Sequence, residues 1–104
     1  MPFELKLHRD VEKQLTRIHK KQRERLVTAM RSLREEPRPH GFLRLEANLF
    51  RIRVGQYRII YAVFDEEIVV VVCKIARRTE STYRNLGNLL NRADKELSKD
   101  QDSN

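Results

Sequence analysis

The chain has 104 residues, of which 39% are hydrophobic and 36% charged, and its formal net charge is +7. That length supports one hydrophobic core without metal or disulfide help and is too short for two, so a single domain is expected over 1–104, with 98–104 as a frayed tail. A single cysteine excludes a disulfide within the monomer, and no apolar run approaches the ~20 residues of a membrane span. The N-terminus carries no basic segment followed by an apolar core, so a cytoplasmic protein with no membrane association is the expectation.

The positive charge belongs to the body of the chain. Residues 1–40 carry eleven Lys or Arg against six acids, residues 41–84 eight against five, and residues 85–104 three against four. A basic body implies a polyanionic or acidic partner without saying which.

Phe3, Leu5 and Leu7 alternate with Glu4, Lys6 and His8, the period of a half-buried strand. Asp10 is placed to cap a helix whose apolar positions are Val11, Leu15 and Ile18, and His19-Lys20-Lys21 ends that periodicity. A second helix is expected from about Gln22 to Glu35, with Leu26, Met30 and Leu33 on one face. The connection is so short that the two helices must lie against each other. Pro37-Arg38-Pro39-His40-Gly41 stops the second helix, and Phe42, Leu43 and Leu45 read as a connecting stretch that covers an open edge of the core.

Next comes the most informative stretch. Phe50 to Val54 alternates apolar with Arg, β-formers run from Tyr57 to Phe64, and Gly55-Gln56 lies between them. With Gly at the first position of a two-residue turn, Val54 faces Tyr57 and Arg53 faces Arg58. Phe50, Ile52, Val54, Tyr57, Ile59 and Tyr61 then share one face, and Arg51, Arg53 and Arg58 share the other. Like charges directly opposite cost some stability, and neither strand offers a carboxylate to relieve it.

After the charged turn Asp65-Glu66-Glu67, residues 68–76 are apolar on both faces, as befits a central strand with packing on each side, and Cys73 inside it is expected as a buried thiol. Lys74 interrupts this run and Arg77-Arg78 follow, so Arg51, Arg53, Arg58 and Arg78 are expected to converge at one end of the sheet, with Lys74 opposite Arg58 or one step off. Thr79 or Ser81 is placed to start a last helix striped by Leu86, Leu89, Leu90, Ala93 and Leu97, with Tyr83 in its first turn. The expected fold is α+β in the order β-α-α-β-β-β-α: a small antiparallel sheet of about four strands, the helical hairpin on one face and the Arg-bearing face at least partly open.

The pattern favours one chemistry over others. No His or Cys pair has metal-ligand spacing and no glycine-rich phosphate loop is present, so neither metal nor cofactor is expected. RNA cleavage suits a cluster of guanidinium groups, because the substrate supplies its own 2′-hydroxyl nucleophile. The protein need only align it and stabilise charge on the phosphoryl oxygens. Tyr83 is a candidate for base stacking or proton exchange, and equally for a boundary aromatic that closes the helix onto the sheet.

The run Leu49 to Tyr61, the acidic turn, the Val-rich strand, Ile75-Ala76-Arg77-Arg78 and Tyr83-Arg84 together resemble the RelE/ParE superfamily of toxin–antitoxin toxins, over the chain from Phe3 to about Arg84. The resemblance implies, on its RelE-like branch, a ribosome-dependent endoribonuclease that cuts mRNA, with Arg51, Arg53, Arg58, Arg78 and Tyr83 as catalytic positions and Lys74, Arg77 and Arg84 as RNA contacts. Arg at 51 and 53, where the family's best-known pattern has Lys, suits charge stabilisation better than general base work. The ParE-like branch implies instead a protein that poisons DNA gyrase by binding it. Either way a cognate antitoxin is implied, whose complex with the toxin binds operator DNA; the other expected partner on the RelE-like branch is the ribosome with its mRNA.

Overall fold

A computed structural model describes residues 2–80 and 85–99. In chain order the elements are β1 (Glu4–Leu7), α1 (Arg9–Thr16), α2 (Lys20–Ser32), β2 (Leu43–Glu46), β3 (Leu49–Val54), β4 (Tyr57–Phe64), β5 (Val69–Arg77) and α3 (Leu86–Lys99). The strands form one five-stranded sheet in the order β1-β5-β4-β3-β2. The fold is α+β, as the patterning implies.

Two features of the sheet differ from expectation. Residues Leu43–Glu46, read as a connector, form the edge strand β2, paired antiparallel to β3 with Leu45 as an extra residue between Arg44 and Glu46. A short, largely exposed edge strand has little alternation to betray it. The sheet is also mixed rather than wholly antiparallel, because β1 pairs parallel to β5, Glu4 with Val69 through Leu7 with Val72. Alternation tells which side chains share a face; strand neighbour and direction depend on contacts distant in sequence.

The helix boundaries differ too. The N-cap of α1 is His8, whose Nδ1 accepts from the Asp10 backbone N–H at 3.1 Å, and Asp10 lies in the first turn. His19 repeats the device, its Nδ1 accepting from the Lys21 N–H at 3.3 Å, so 19–21 open α2 instead of closing α1. The last helix starts at Leu86, later than Thr79 or Ser81; Thr79 lies in a turn and Ser81 falls outside the described residues. Ser98 and Lys99 belong to α3, and 100–104 lie outside the described residues.

Where the length implied a single core, each face of the sheet carries its own buried apolar cluster, because helices cover both faces. On one, Val11, Leu26, Met30 and Leu33 of the helical hairpin pack on Phe50, Ile52, Ile59, Tyr61, Val63, Val70, Val72 and Ile75. On the other, Leu89 and Ala93 of α3 cover Leu49, Ile60, Ala62, Val69, Val71 and Cys73. Thus β5 is sandwiched, as its unbroken apolar run requires. Tyr61 is wholly buried, and its hydroxyl donates to the Pro37 carbonyl at 2.7 Å, which ties the Pro-rich loop to the core. Arg38 adds a two-pronged contact to Asp65, at 2.6 and 3.2 Å, and stacks 5.3 Å from the Phe50 ring centroid.

Candidate functional site

The site is built by register. Val54 pairs with Tyr57 across the Gly55-Gln56 turn, where Gly55 takes a φ of 59° that a β-carbon would strain. Arg53 is therefore directly opposite Arg58, and Arg51 directly opposite Ile60. Since Ile60 belongs to the core beneath α3, the three arginines occupy the α3 face of the sheet.

An irregularity in β5 adds the fourth cation. From Phe64–Val69 to Tyr61–Val72 the pairing with β4 is regular; it then skips Cys73, so that Lys74 pairs with Ile60, Ile75 with Ile59 and Ala76 with Arg58. Had the first register continued, Lys74 would stand opposite Ile59 and point its ammonium into the core under the helical hairpin. The extra residue turns Lys74 to the arginine face and Ile75 to the core, which is the re-aiming that a β-bulge performs. Lys74 is thus neither opposite Arg58 nor one residue off, but its diagonal neighbour on the same face.

The outer edge of β5 is held by side chains where β1 has ended. The Gln14 side chain imitates a strand: its Nε2 donates to the Ile75 carbonyl at 2.7 Å, and its Oε1 accepts from the Ile75 N–H at 3.2 Å. Arg92 of α3 donates to the Cys73 carbonyl at 3.3 Å while paired to Asp10 at 2.9 Å. Sequence patterning gave no warning of either contact, because a Gln and an Arg on helix surfaces look like solvated residues.

One sheet face is consequently divided in two. Toward the β4–β5 turn it is apolar and covered by α3; toward the β3–β4 turn it carries Arg51, Arg53, Arg58 and Lys74. Arg53 is exposed, and Arg51, Arg58 and Lys74 are half-buried. Among the described residues no ion pair joins Arg51, Arg53, Lys74 or Arg78 to a carboxylate. The buried Nε of Arg51 likewise finds no acceptor among them. A buried donor left without a partner costs about 1–3 kcal/mol, so it is a feature in need of a reason.

The remaining candidates fall in different places. Arg78 follows β5, exposed, and its backbone N–H donates to the Gln56 carbonyl at 2.9 Å, which fastens it beside the β3–β4 turn. Arg77 pairs with Tyr57 and lines a pocket with Gln14, Arg17 and Glu80 on the helical-hairpin side, away from the face that carries Arg51, Arg53 and Arg58. Tyr83 and Arg84 lie outside the described residues. Cys73 is buried, and burial pushes its thiol up to about 12, so it is protonated and unreactive near neutrality. Among the described residues no group of three or more His, Cys, Asp or Glu side chains converges on a metal-sized site, and no helix is long and apolar enough to cross a membrane.

The family model for the ParE toxin of the type II toxin–antitoxin system parDE matches residues 5–82, which include all but the first residue of the opening strand and the whole cationic half of the sheet. The chain belongs to the RelE/ParE toxin superfamily. Within that superfamily its similarities point to RelE-like members. The candidate toxin RelE1 of Methanocaldococcus jannaschii is 27% identical over 90 residues, 82% of this chain and 99% of that protein. The archaeal RelE–RelB complex from Pyrococcus horikoshii contains a chain that is 30% identical and superposes with a TM-score of 0.72, covering 78% of this chain and all of that one. E. coli RelE, in complex with a peptide of the antitoxin RelB, gives a TM-score of 0.66 at 26% identity, over 78% of this chain and 88% of its own. The chain is thus a RelE-family toxin of the toxin–antitoxin class.

Proposed function

We propose that this toxin is a ribosome-dependent endoribonuclease that cleaves mRNA. The observation that carries the reading is the group of cations on one sheet face, Arg51, Arg53, Arg58 and Lys74, with Arg78 beside the same turn. Three of the arginines come from a single rigid hairpin, so they are held in place before substrate arrives, the condition under which charge stabilisation is most effective.

In the proposed reaction the 2′-oxygen of one nucleotide attacks its own 3′-phosphorus and the bond to the 5′-oxygen of the next nucleotide breaks. The products are a 2′,3′-cyclic phosphate and a free 5′-hydroxyl; the 2′-hydroxyl loses a proton and the 5′-oxygen gains one. Guanidinium groups keep their protons at any physiological pH, so Arg53 and Arg58 serve to bind the phosphoryl oxygens and spread their growing charge. Tyr83 is proposed for proton exchange or base stacking, and Arg84 as an RNA contact. RelE-like kinship supports the proposed requirement for a ribosome, which would supply what so small a surface lacks, a means of holding a flexible mRNA in line for attack. A cognate antitoxin of RelB type is proposed as the partner that silences the protein.

The test is cleavage of mRNA on programmed ribosomes. Replacement of Arg58 by Ala is expected to slow cleavage by about 10²–10³, the usual cost of removing one preorganised charge-stabilising donor, and Arg78→Ala and Tyr83→Phe to slow it as well. A double variant lacking Arg53 and Arg58 that cuts within threefold of the native rate would reject the reading. The family match is to a ParE description, which favours one competing reading, gyrase poisoning through protein contact. Inhibition of supercoiling in vitro, with translation untouched, would select it.

A further inference from the structure

Away from the sheet face, α1 and α3 present two basic stripes to each other. Arg9 and Lys13 of α1 and Arg17 at its C-cap recur every fourth residue, and Arg92, Lys95 and Lys99 recur at three- and four-residue spacing along α3, so each set lies on one side of its helix. Between them is a cavity of about 480 Å³ whose lining, from His8 and Arg9 to Asn91, Lys95 and the carboxylate-bearing Glu96, contains no aliphatic or aromatic hydrocarbon side chain. A second cavity of about 260 Å³ also has Arg92 in its wall, with Asp10, Lys13 and Arg17, and reaches Lys74 at the border of the arginine face.

Two of these cations are already engaged, Arg92 by Asp10 at 2.9 Å and Lys99 by Glu96 at 2.9 Å. Among the described residues no ion pair involves Arg9, Lys13, Arg17 or Lys95, and all four are exposed. Solvated helix faces often carry Lys and Arg for solubility alone. Here Arg9 shares one cavity with Lys95 and Lys99, and Lys13 and Arg17 share the adjoining one with Lys74, so cations outnumber the single carboxylate in each, an arrangement that solubility does not require and that self-repulsion opposes.

We propose that the α1–α3 groove is an RNA-backbone track continuous with the arginine face, a surface that holds sugar–phosphate on one side of the scissile position. This deepens the endoribonuclease reading and rests on it for the choice of RNA. An amphipathic peptide is disfavoured as occupant because such a ligand needs apolar pockets for its anchors, and the larger cavity has none. Lys, Arg and Asn side chains in a groove are the groups that meet phosphate and sugar oxygens in nucleic-acid complexes.

The experiment measures binding of the full chain to a short, 2′-O-methylated single-stranded RNA, which cannot be cleaved, and to an RNA hairpin, by fluorescence anisotropy between about 50 and 200 mM salt. The triple variant Arg9→Ala/Lys13→Ala/Lys95→Ala removes three exposed cations outside the proposed catalytic set. It is expected to keep the native melting temperature, to bind more weakly, and to lower the steepness of log K against log salt by about 2, three contacts at ~0.7 each for a single strand. Loss confined to the single strand identifies flanking mRNA as the occupant, and loss confined to the hairpin identifies structured RNA; both support the track. An unchanged salt slope with both RNAs overturns it. So does a result in which the variant loses affinity for polyglutamate but not for RNA, which would assign the groove to an acidic protein. Ribosomal cleavage by the unsubstituted chain is scored separately: cleavage with a variant slope unchanged from native fails the groove alone, and a variant slope lowered by about 2 with no cleavage by the unsubstituted chain fails the enzymatic reading alone.

Discussion

Gln14 offers a sharp test of how the site is supported. Its side chain supplies the donor and the acceptor that a neighbouring strand would give Ile75, at 2.7 and 3.2 Å, in the part of β5 that carries Lys74. Substitution by Ala removes both bonds and leaves a partly buried N–H and C=O to recruit water or go unpaired. Each bond is worth about 0.5–1.5 kcal/mol net and each stranded group costs about 1–3 kcal/mol, so a loss of roughly 2 kcal/mol is expected. For a domain of this size that lowers Tm by roughly 10 °C. Gln14→Glu separates the two bonds: the carboxylate still accepts from the Ile75 N–H but sets an oxygen against the Ile75 carbonyl. Protonation restores a donor, so the carbonyl raises the pKa of Glu at position 14 in the folded state above its unfolded value near 4.3, and the stability this proton confers is lost as pH rises. The stability gap between this variant and the native chain, from urea titrations at matched pH, should therefore widen from about pH 4 to pH 7. An Ala variant within 0.3 kcal/mol of native, or a gap that narrows with rising pH, would refute the strand-mimic account.

Three further outcomes follow from individual contacts. Tyr61→Phe deletes the buried hydroxyl that satisfies Pro37 and should cost about 1–2 kcal/mol in urea unfolding, while leaving helix content by far-UV circular dichroism unchanged. The Cys73 thiol, held up at about 12 by burial, should resist iodoacetamide at pH 8 in the folded protein and react readily in urea, with mass spectrometry as the readout. His8 is lowered from 6.5, first by burial and then by the nearby Arg92, and its Nδ1 must stay unprotonated to cap α1. The unfolded chain therefore takes up that proton first: relative to His8→Asn, the native protein should hold its stability above about pH 6.5 and lose part of it as pH falls below, and a relative gain on acidification would contradict the capping role.

Alternation in β3 and β4 sufficed to place Arg53 against Arg58, and Gly55 to place the turn, because a hairpin is a local structure whose register is fixed by its own loop. The amphipathic spacing of Val11, Leu26, Met30 and Leu33 likewise identified the side of each helix that is buried, since burial of an apolar stripe is the dominant favourable term. The caps were a different matter. A neutral imidazole nitrogen accepts a backbone N–H as well as a hydroxyl oxygen does, but His is so seldom a cap that Asp10 drew the assignment from His8.

What the letters determined was the division of each segment into an apolar and a charged side, and with it a helical hairpin packed on one sheet face and a cationic β-hairpin. What only the folded chain decided was which segments became neighbours: β1 parallel to β5, the Leu43–Glu46 strand at the far edge, α3 over half of the arginine face, and the irregularity at Cys73 that turns Lys74 to that face. The physical reason is range. Side-chain periodicity is set by backbone geometry within a few residues, whereas strand order, bulges and edge-sealing contacts such as Gln14 to Ile75 are chosen by the competition for buried area and backbone hydrogen bonds among parts of the chain far apart in sequence.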